Sequence, residues 1–390
     1  MTSWQRRRIP LAALLVAALV GCDSTTTVPG APTAESPTLD TRSASGPFTG
    51  FSAPVFDIST TPDGSLLAVS GTSVYEINGT GMTEVAEVPT TPGSGLNGVA
   101  ARGRRDILVT SGGQDLALGA GVWRVSAGRT DLLGDVEAFE TANDPDAFAG
   151  PQWKNQACEG DPRNGDFTAG PQSNPYHLTT ERGGALVADA AGNSLLRVGA
   201  DGSIELVAVL TPPTGDGTDW QVFFVIEGED GEPDIPCYVQ PVPTSVAVGP
   251  GGEYYVGELT GLTLPQFGGA PAPAWSRVWR IDAGASGVTC PSEACEVAFD
   301  GFTSIVDVEV GPDGNVYVLE LDEAGWFPAT ALGAATNGTL NRCDPSSGIC
   351  DVVTSELFLP NAVAFDKWDG LWVLNSSLFN TEIVKVGEVS

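Results

Sequence analysis

The chain is poor in basic residues. Its 390 residues include 18 Lys and Arg against 49 Asp and Glu, which gives a formal net charge of −31. The only lysines are far apart in the sequence: Lys154, Lys367 and Lys385. Nucleic-acid binding needs a basic stripe that displaces counterions, so the composition excludes that class of partner. An acidic surface of this kind favours a soluble monomer and suits cationic ligands or divalent ions.

The chain also lacks the common catalytic motifs. His177 is the only histidine, so an HExxH zinc motif is impossible, and there is no CxxC pair. Neither a GxSxG nucleophile elbow nor a Walker loop is present. These absences lower the expectation of an enzyme without removing it.

No apolar run after the N-terminus is long enough to span a bilayer. Near the start, Arg6–Arg8 precede the apolar segment LAALLVAALV (11–20), which is typical of an export signal. Its end, LVGC, resembles a bacterial lipobox, in which cleavage before Cys22 leaves a thiol that carries a diacylglyceryl chain. An ordinary secretory signal with a chance cysteine is the alternative, and the paired arginines loosely fit a twin-arginine signal.

Three regions follow from this N-terminus. We predict a signal peptide over residues 1–21, a lipid-anchored linker over 22–45 and a folded domain over 46–390. The linker is rich in Ser, Thr and Pro and has almost nothing to bury, so it is expected to be a disordered tether. The sequence therefore predicts an extracytoplasmic protein that is anchored to membrane lipid through Cys22.

The cysteine count fits an oxidising compartment. Seven cysteines less a lipidated Cys22 leave six, which allow fifteen connectivities. The preferred pairing joins near neighbours and then the remaining two: Cys290 with Cys295, Cys343 with Cys350, and Cys158 with Cys237.

A short β-rich unit recurs six times along the chain. Each copy reads as strand A, a turn that usually contains Gly, strand B, a loop, strand C, a second turn and strand D. The copies start at 55, 97, 176, 244, 305 and 361. Some carry insertions, so the spacing varies, but a repeat architecture is indicated.

Four antiparallel strands per unit, repeated radially, predict an all-β, six-bladed β-propeller. The 49 Gly and 29 Pro, together with the lack of a long 3.6-residue period, argue against helical alternatives. The last copy ends after its third strand. We therefore expect the segment PFTGF (47–51) to supply the missing strand and close the ring.

The connections between strands fall into two sets, one on each face of the predicted propeller. The A-to-B and C-to-D turns of the blades are expected to be short throughout, whereas the B-to-C and D-to-A connections hold the insertions 137–173, 211–241, 260–276 and 322–337. Long loops on one face of a rigid scaffold usually shape a binding site. Their tryptophans either stack on a ligand or plug the loops onto the propeller: Trp153, Trp220, Trp275 and Trp326. The acidic run EGEDGEPD (227–234) is interpreted as a solvated loop.

Polar residues cluster in the predicted channel. At the start of the A strands one column reads Asp57, Gly98, His177, Ser245, Asp307 and Ala362, and the column before it includes Asn97, Thr244 and Asn361. The B strands end on the same face at Asp189, Glu258, Glu320 and Asn375. Such carboxylates and amides either hold Ca²⁺ or a similar hard cation, with Asp57, Asp307 and Asn361 as candidate ligands, or hydrogen-bond neighbouring blades and channel water. The second interpretation is favoured.

His177 is the candidate catalytic residue. Beside Asp57 and Asp307 it is positioned for general-base work near neutral pH, although a structural role is the more common one. Asp189 and Asn193 are first interpreted as turn formers, because their side chains satisfy local backbone donors.

The motifs SNPYHL, VADAAGNSLLRV, VPTSVAVGPGGEYYVGELTG and GFTSIVDVEVGPDGNVYVLE together resemble the ScyD/ScyE family of exported propellers, and the blades look like NHL repeats. The resemblance is densest from Ser173 to Leu321. It implies a propeller fold but carries over no catalytic residues. The family is named for genes linked to making the pigment scytonemin, and the His after NPY and the proline-rich insertion after GELTG depart from its pattern.

The leading hypothesis is a lipid-anchored propeller that binds a small molecule or a partner protein on its long-loop face. One rival is a metal-dependent hydrolase or lactonase resembling the gluconolactonase-type enzymes, with ligands among Asp57, Asp189, Asp307, Asn361 and Glu258. The other rival is a structural docking module. Oxygens converging on one point favour the hydrolase, and carboxylates paired to neighbouring blades favour binding.

Overall fold

The computed structural model describes residues 48–51, 54–79, 81–113, 119–148, 158, 171–214, 219–229, 231–260 and 274–389. The predicted signal peptide, the whole predicted linker 22–45 with Cys22, and Trp153 lie outside these residues. None of the helices formed by the described residues has the length and apolar character needed to cross a membrane.

The first half of the chain forms a closing strand and three blades. The closing strand is β1 (Phe48–Thr49). The first blade contains β2 (Val55–Thr60), β3 (Leu66–Ser70), β4 (Ser73–Asn78) and β5 (Gly81–Glu87). The second contains β6 (Ser94–Gly103), β7 (Asp106–Gly113), β8 (Gly121–Ser126) and β9 (Arg129–Asp135). The third contains β10 (Pro175–Glu181), β11 (Gly184–Asp189), β12 (Ser194–Val198) and β13 (Ile204–Val209).

The second half adds a hairpin and three more blades. The hairpin is β14 (Val222–Ile226) and β15 (Ile235–Tyr238). The fourth blade contains β16 (Pro243–Val248), β17 (Tyr254–Glu258), β18 (Ser276–Ile281) and β20 (Cys295–Phe302), and the short β19 (Val288–Thr289) lies between its last two strands in sequence. The fifth contains β21 (Ile305–Val310), β22 (Val316–Glu320), β23 (Gly338–Asp344) and β24 (Ile349–Leu357). The sixth contains β25 (Ala362–Phe365), β26 (Gly370–Asn375) and β27 (Glu382–Glu388).

All six blades are antiparallel sheets whose strands pair in chain order, so the fold is the predicted six-bladed propeller. Runs such as LLAVS in β3 are buried along their whole length, as expected for a strand in the middle of a sheet whose two faces are both covered. The turns contain glycine where the sequence predicted it. In the first blade the turn from β2 to β3 places Gly64 at φ +91°, a conformation that favours glycine.

The core is divided among the interfaces between blades. Six clusters of buried apolar residues each join two neighbouring blades, and together they run once around the ring. Between the third and fourth blades, for example, Leu186 and Leu195 pack with Val246 and Trp279. No single blade buries both of its faces alone, which is why the repeat is stable only as a ring.

The chain's ends close the ring as predicted. β1 pairs antiparallel with β27, with Phe48 opposite Ile383 and Thr49 opposite Glu382. The sixth blade therefore has three strands from the C-terminal end and one from the N-terminal end. Phe51 of the closing segment packs edge-on against Tyr75 of the first blade, so the segment is fixed by side chains as well as by backbone pairing.

The described parts of the four long connections leave and enter the blades on the face predicted for them, which we call the long-loop face. These described parts contain two short α-helices that the sequence pattern did not predict, α1 (Val136–Asn143) and α2 (Trp326–Ala331), and a 3₁₀ turn at Pro145–Phe148. The prediction of short turns throughout the opposite face is wrong in one place. Residues 282–294 join β18 to β20, and within them β19 pairs in parallel with the outer strand β13 of the third blade.

All three predicted disulfides are present. Cys158–Cys237 joins two long connections, Cys290–Cys295 closes the end of the 282–294 connection, and Cys343–Cys350 links the paired strands β23 and β24. Three disulfides indicate that the protein folds in an oxidising environment.

Candidate binding site at the propeller axis

The predicted polar column lies at the propeller axis, where the innermost strand of each blade begins. In β2, β10, β16 and β21 the pairing register shifts at this point, so two successive residues oppose one on the partner strand. Such a bulge redirects side chains near a strand end. The first, third and fifth blades place Asp57, His177 and Asp307 there.

Each of these three side chains accepts a backbone hydrogen bond from the next blade. Asp57 Oδ2 accepts from Val99 N–H at 2.7 Å, and Asp307 Oδ2 accepts from Val363 N–H at 2.7 Å. The equivalent contact of His177 is longer, at 3.4 Å from Val246 N–H to Nδ1. Each carboxylate also accepts the N–H of the residue that follows it. The favoured interpretation, hydrogen bonding to neighbouring blades, describes this geometry.

The second, fourth and sixth blades make the complementary contacts with donors. Asn97 Nδ2 donates to the Pro175 carbonyl at 3.3 Å, and Thr244 Oγ1 donates to the Ile305 carbonyl at 2.7 Å. Asn361 Nδ2 donates to the Phe56 carbonyl. Acceptor and donor side chains thus alternate around the axis. We call this closed set of six interblade contacts the axial ring.

Tyr176 crosses the axis beside the axial ring. Its hydroxyl, on the third blade, donates to Asn361 Oδ1 on the sixth blade at 3.0 Å. Tyr176 is one residue nearer the long-loop face than His177. Burial raises the pKa of the Tyr176 hydroxyl to about 12, so it remains a donor at physiological pH. Both polar atoms of the Asn361 amide are therefore engaged, one by the adjacent first blade and one by the third blade across the axis.

Asp57, His177 and Asp307 converge at the centre of the axial ring. His177 Nε2 lies 3.7 Å from Asp57 Oδ2 and 3.8 Å from Asp307 Oδ1. One ligand atom from each residue falls within 4.8 Å of the other two. All three are buried, with exposed fractions of 2%, 6% and 1% in chain order. A bound substrate on the protein surface would not contact them.

Burial sets the ionisation of this cluster. Burial, and then the charge of Asp307, raise the pKa of Asp57 well above its ordinary value. Burial likewise raises the pKa of Asp307 to about 7 and lowers that of His177 to about 4. The imidazole is therefore neutral, and its Nδ1, which accepts from Val246 N–H, leaves the ring proton on Nε2. A general base at Nε2 would need the other tautomer.

Glu309 adds a third carboxylate to the channel. It follows Asp307 by two residues in β21, so the strand period places both side chains on the channel side. Burial, and then the charge of Asp307, raise the pKa of Glu309 to about 8. Sequence reasoning missed Glu309 and Tyr176. The two-residue period of β21 was a usable signal for Glu309, whereas nothing in the sequence indicated how far Tyr176 reaches.

The polar residues that end the B strands do not join the axial cluster. Asp189 accepts from Ser173 Oγ and from the N–H of Asn174 and Gly192, which is the predicted turn-forming role. Burial raises its pKa, and these donors oppose the shift. In the last blade the Asn375 side chain accepts from Phe358 N–H.

Glu258 and Glu320 occupy matching positions in the fourth and fifth blades but differ in their partners. Glu258 pairs with Arg277 and accepts from Trp279 Nε1 at 2.8 Å. Glu320 accepts from Thr303 N–H at 2.5 Å and from Asn341 Nδ2 at 2.8 Å. Burial raises the pKa of both carboxyls, that of Glu320 to about 7. The proposed hydrolase ligands are therefore split between the axis and separate sites within blades.

The long-loop face carries the other predicted features. Trp220 packs edge-on against Tyr238 with ring centroids 5.5 Å apart, and Trp326 Nε1 donates to the Thr260 carbonyl at 3.2 Å. Both are half-buried. Trp220 packs with Val209 of the third blade, and Trp326 packs against the core between the fifth and sixth blades. Trp275 is half-buried too. The described part of the acidic run 227–234 is exposed at the turn of the β14–β15 hairpin, as predicted.

Asn193 also connects the long loops. Its side-chain Nδ2 donates to Asp146 Oδ2 at 2.9 Å and to Gln240 Oε1 at 2.6 Å, and its Oδ1 accepts from Val242 N–H. Asp146 lies with Glu140 and Asp144 in a second acidic group whose ligand atoms fall within 4.8 Å of one another. Asn193 therefore joins both disulfide-linked connections to the third blade.

Comparisons with known proteins identify no family for the chain. No protein-family model and no curated protein sequence matches it. Among solved structures, it is similar to a streptogramin B lyase, with 13% identity over 87% of this chain and 96% of that chain and a TM-score of 0.46. It is also similar to a protein of unknown function from Bacteroides thetaiotaomicron, with 10% identity over 87% and 72% and a TM-score of 0.49. A PQQ-bound aldose sugar dehydrogenase from Streptomyces coelicolor gives 13% identity over 87% and 95% and a TM-score of 0.49.

Proposed function

We propose that the protein is an exported, lipid-anchored propeller of the ScyD/ScyE type that binds a small molecule or a partner protein on its long-loop face. The observation that carries the proposal is the axial ring. Its carboxylates and amides each bond a neighbouring blade, so the polar residues of the channel support the scaffold and leave recognition to the loops.

Contacts among the described parts of the long loops support the same proposal. Cys158–Cys237 links two of the four long connections, and the Asn193 contacts hold both to the third blade. Trp326 joins α2 of the fifth blade to the loop of the fourth. These contacts cross-link the described parts of the face, which lowers the ordering cost of binding and favours recognition over a mobile catalytic lid.

The face that binds is testable by site-specific photo-crosslinking in cells that naturally make the protein. A crosslinking residue replaces Leu332, which is 60% exposed beside α2 on the long-loop face. The matched control replaces the exposed Asp201 in a turn on the opposite face. We expect an adduct, identified by mass spectrometry, from position 332 only. Adducts from position 201 alone, or equally from both, would contradict the proposal.

Anchoring is tested separately by labelling with an alkyne fatty acid. The wild-type chain is expected to take up the label and to sediment with membranes. Cys22→Ser should lose the label and appear in the soluble fraction, because the thiol is the predicted lipid attachment point. An unlabelled wild-type chain would refute the lipid anchor while leaving the binding face untouched.

A further inference from the structure

We propose that Asp57, His177 and Asp307 bind one divalent metal ion on the propeller axis, with Zn²⁺ or Mn²⁺ preferred to Ca²⁺. The distances carry the first step. The imidazole Nε2 lies 3.7 Å and 3.8 Å from the two carboxylate oxygens, too far for hydrogen bonds. Metal–ligand bonds of about 2.0–2.4 Å place neighbouring ligands of one ion about 3–4 Å apart, which matches these separations.

Charge gives the second step. Two carboxylates face each other in the buried cluster, and Glu309 lies two residues from one of them. Within the part of the chain that the structure describes, no lysine or arginine forms an ion pair with Asp57 or Asp307. The buried Glu258, by contrast, has Arg277. Buried carboxyl groups pair with a cation, coordinate a metal or take up a proton, and a divalent ion at this position would neutralise both carboxylates at once.

Preorganisation gives the third step. Two backbone N–H groups hold each carboxylate, so neither side chain has to reorient to meet an ion. Coordination by Nε2 moves the ring proton of His177 to Nδ1 and ends its contact with Val246 N–H. That contact, at 3.4 Å, is the longest in the axial ring. Nδ1–H and Val246 N–H are then two donors that face each other, and the metal–ligand bonds have to outweigh this cost.

The ligand types select the metal. One imidazole nitrogen with two carboxylate oxygens suits Zn²⁺ and Mn²⁺, whereas Ca²⁺ prefers oxygen ligands only. The ligands come from the first, third and fifth blades, so one ion links alternate blades. Exposed fractions of 1–6% keep a substrate away from it. The ion therefore has a structural role, independent of what the long-loop face binds.

The test uses the full chain, dialysed against EDTA and then melted with Zn²⁺, Mn²⁺, Ca²⁺ or Mg²⁺. An ion present at 100 times its dissociation constant should raise the melting temperature by about 5 °C. Elemental analysis should find one retained equivalent. No shift and no retained ion with either Zn²⁺ or Mn²⁺ would overturn the proposal.

Two variants separate this site from adventitious binding to the acidic surface. Asp307→Asn keeps an oxygen that accepts from Val363 N–H but removes the negative charge of one ligand. The metal-induced rise in melting temperature should therefore disappear. Asp189→Asn alters an equally buried carboxylate away from the axis and should keep the full shift. Equal shifts in both variants would contradict the site. If Asp307→Asn does not fold, pulsed EPR of the wild-type chain with equimolar Mn²⁺ decides. Coupling of the bound ion to an imidazole nitrogen, which only His177 can supply, supports the site, and a free-ion signal or a bound signal without that coupling refutes it.

Discussion

The odd-numbered and even-numbered blades differ at the start of their inner strands. The first, third and fifth place Asp57, His177 and Asp307 at the axis, and the second, fourth and sixth place small residues there, which are Gly98, Ser245 and Ala362. The even-numbered blades instead use the preceding residue to donate to a carbonyl of the next blade. The axis does not have room for six large side chains. Only alternate blades therefore place an ionisable side chain there, three in all.

The largest expected loss of stability comes from placing an aspartate, as in the first and fifth blades, at the small-residue position of the second blade. A Cβ at Gly98 would lie 3.0 Å from His177 Cα and 2.9 Å from Thr110 Oγ1. Gly98→Asp should therefore force the second and third blades apart and cost more than about 3 kcal/mol, or prevent folding. Urea denaturation measures this. Ala362→Gly, which only shortens a small residue, should cost about 1 kcal/mol or less. Near-wild-type stability of Gly98→Asp would contradict the claim that the even-numbered blades need a small residue at the axis.

Much of the fold was predictable from the sequence, because turn residues and apolar alternation act locally. The six repeats, the closing strand around Phe48 and the three cysteine pairs needed only spacing and the count of strands. The column of polar residues was predictable too. What each member contacts was not, because the partner of Asp57 is a backbone N–H on another blade, 42 residues away. The 282–294 connection was missed because its pairing with β13 is a long-range contact.

A second effect compares the two matched carboxylates at the B-strand ends. Glu258→Gln in the even-numbered fourth blade leaves the buried Arg277 without its counter-charge and should cost about 3 kcal/mol at pH 7. Glu320→Gln in the odd-numbered fifth blade removes a carboxylate that has no such partner, so it should be neutral or stabilising. Chemical denaturation of both variants checks this. Equal destabilisation by the two would contradict the assignment.

Glu320 also predicts a pH dependence. Its pKa rises from 4.5 to about 7 on folding because of burial, so the folded state binds this proton more tightly than the unfolded chain does. The stabilisation is fully present below pH 4.5 and is lost as pH rises through about 7. Between pH 5.5 and 8 the loss should be about 2 kcal/mol. The difference between wild type and Glu320→Gln isolates it, and a pH-independent difference would refute it.

The smallest effect tests one donor of the axial ring. Thr244→Val keeps the shape but removes the hydroxyl that donates to the Ile305 carbonyl at 2.7 Å, and it should cost about 1 kcal/mol. Thr330→Val is the matched control, because that hydroxyl donates only within α2, to the Trp326 carbonyl. Thermal melting compares them. A larger loss from the control would mean that the ring contact contributes little.

Amide hydrogen exchange tests the axial ring most directly. Val99 and Val363 N–H donate to Asp57 and Asp307 at 2.7 Å, whereas Val246 N–H contacts His177 at 3.4 Å. If these contacts hold the blades together, the first two amides exchange only through global unfolding and Val246 exchanges faster. Rapid exchange of Val99 and Val363 at the rate of surface loops would contradict the account.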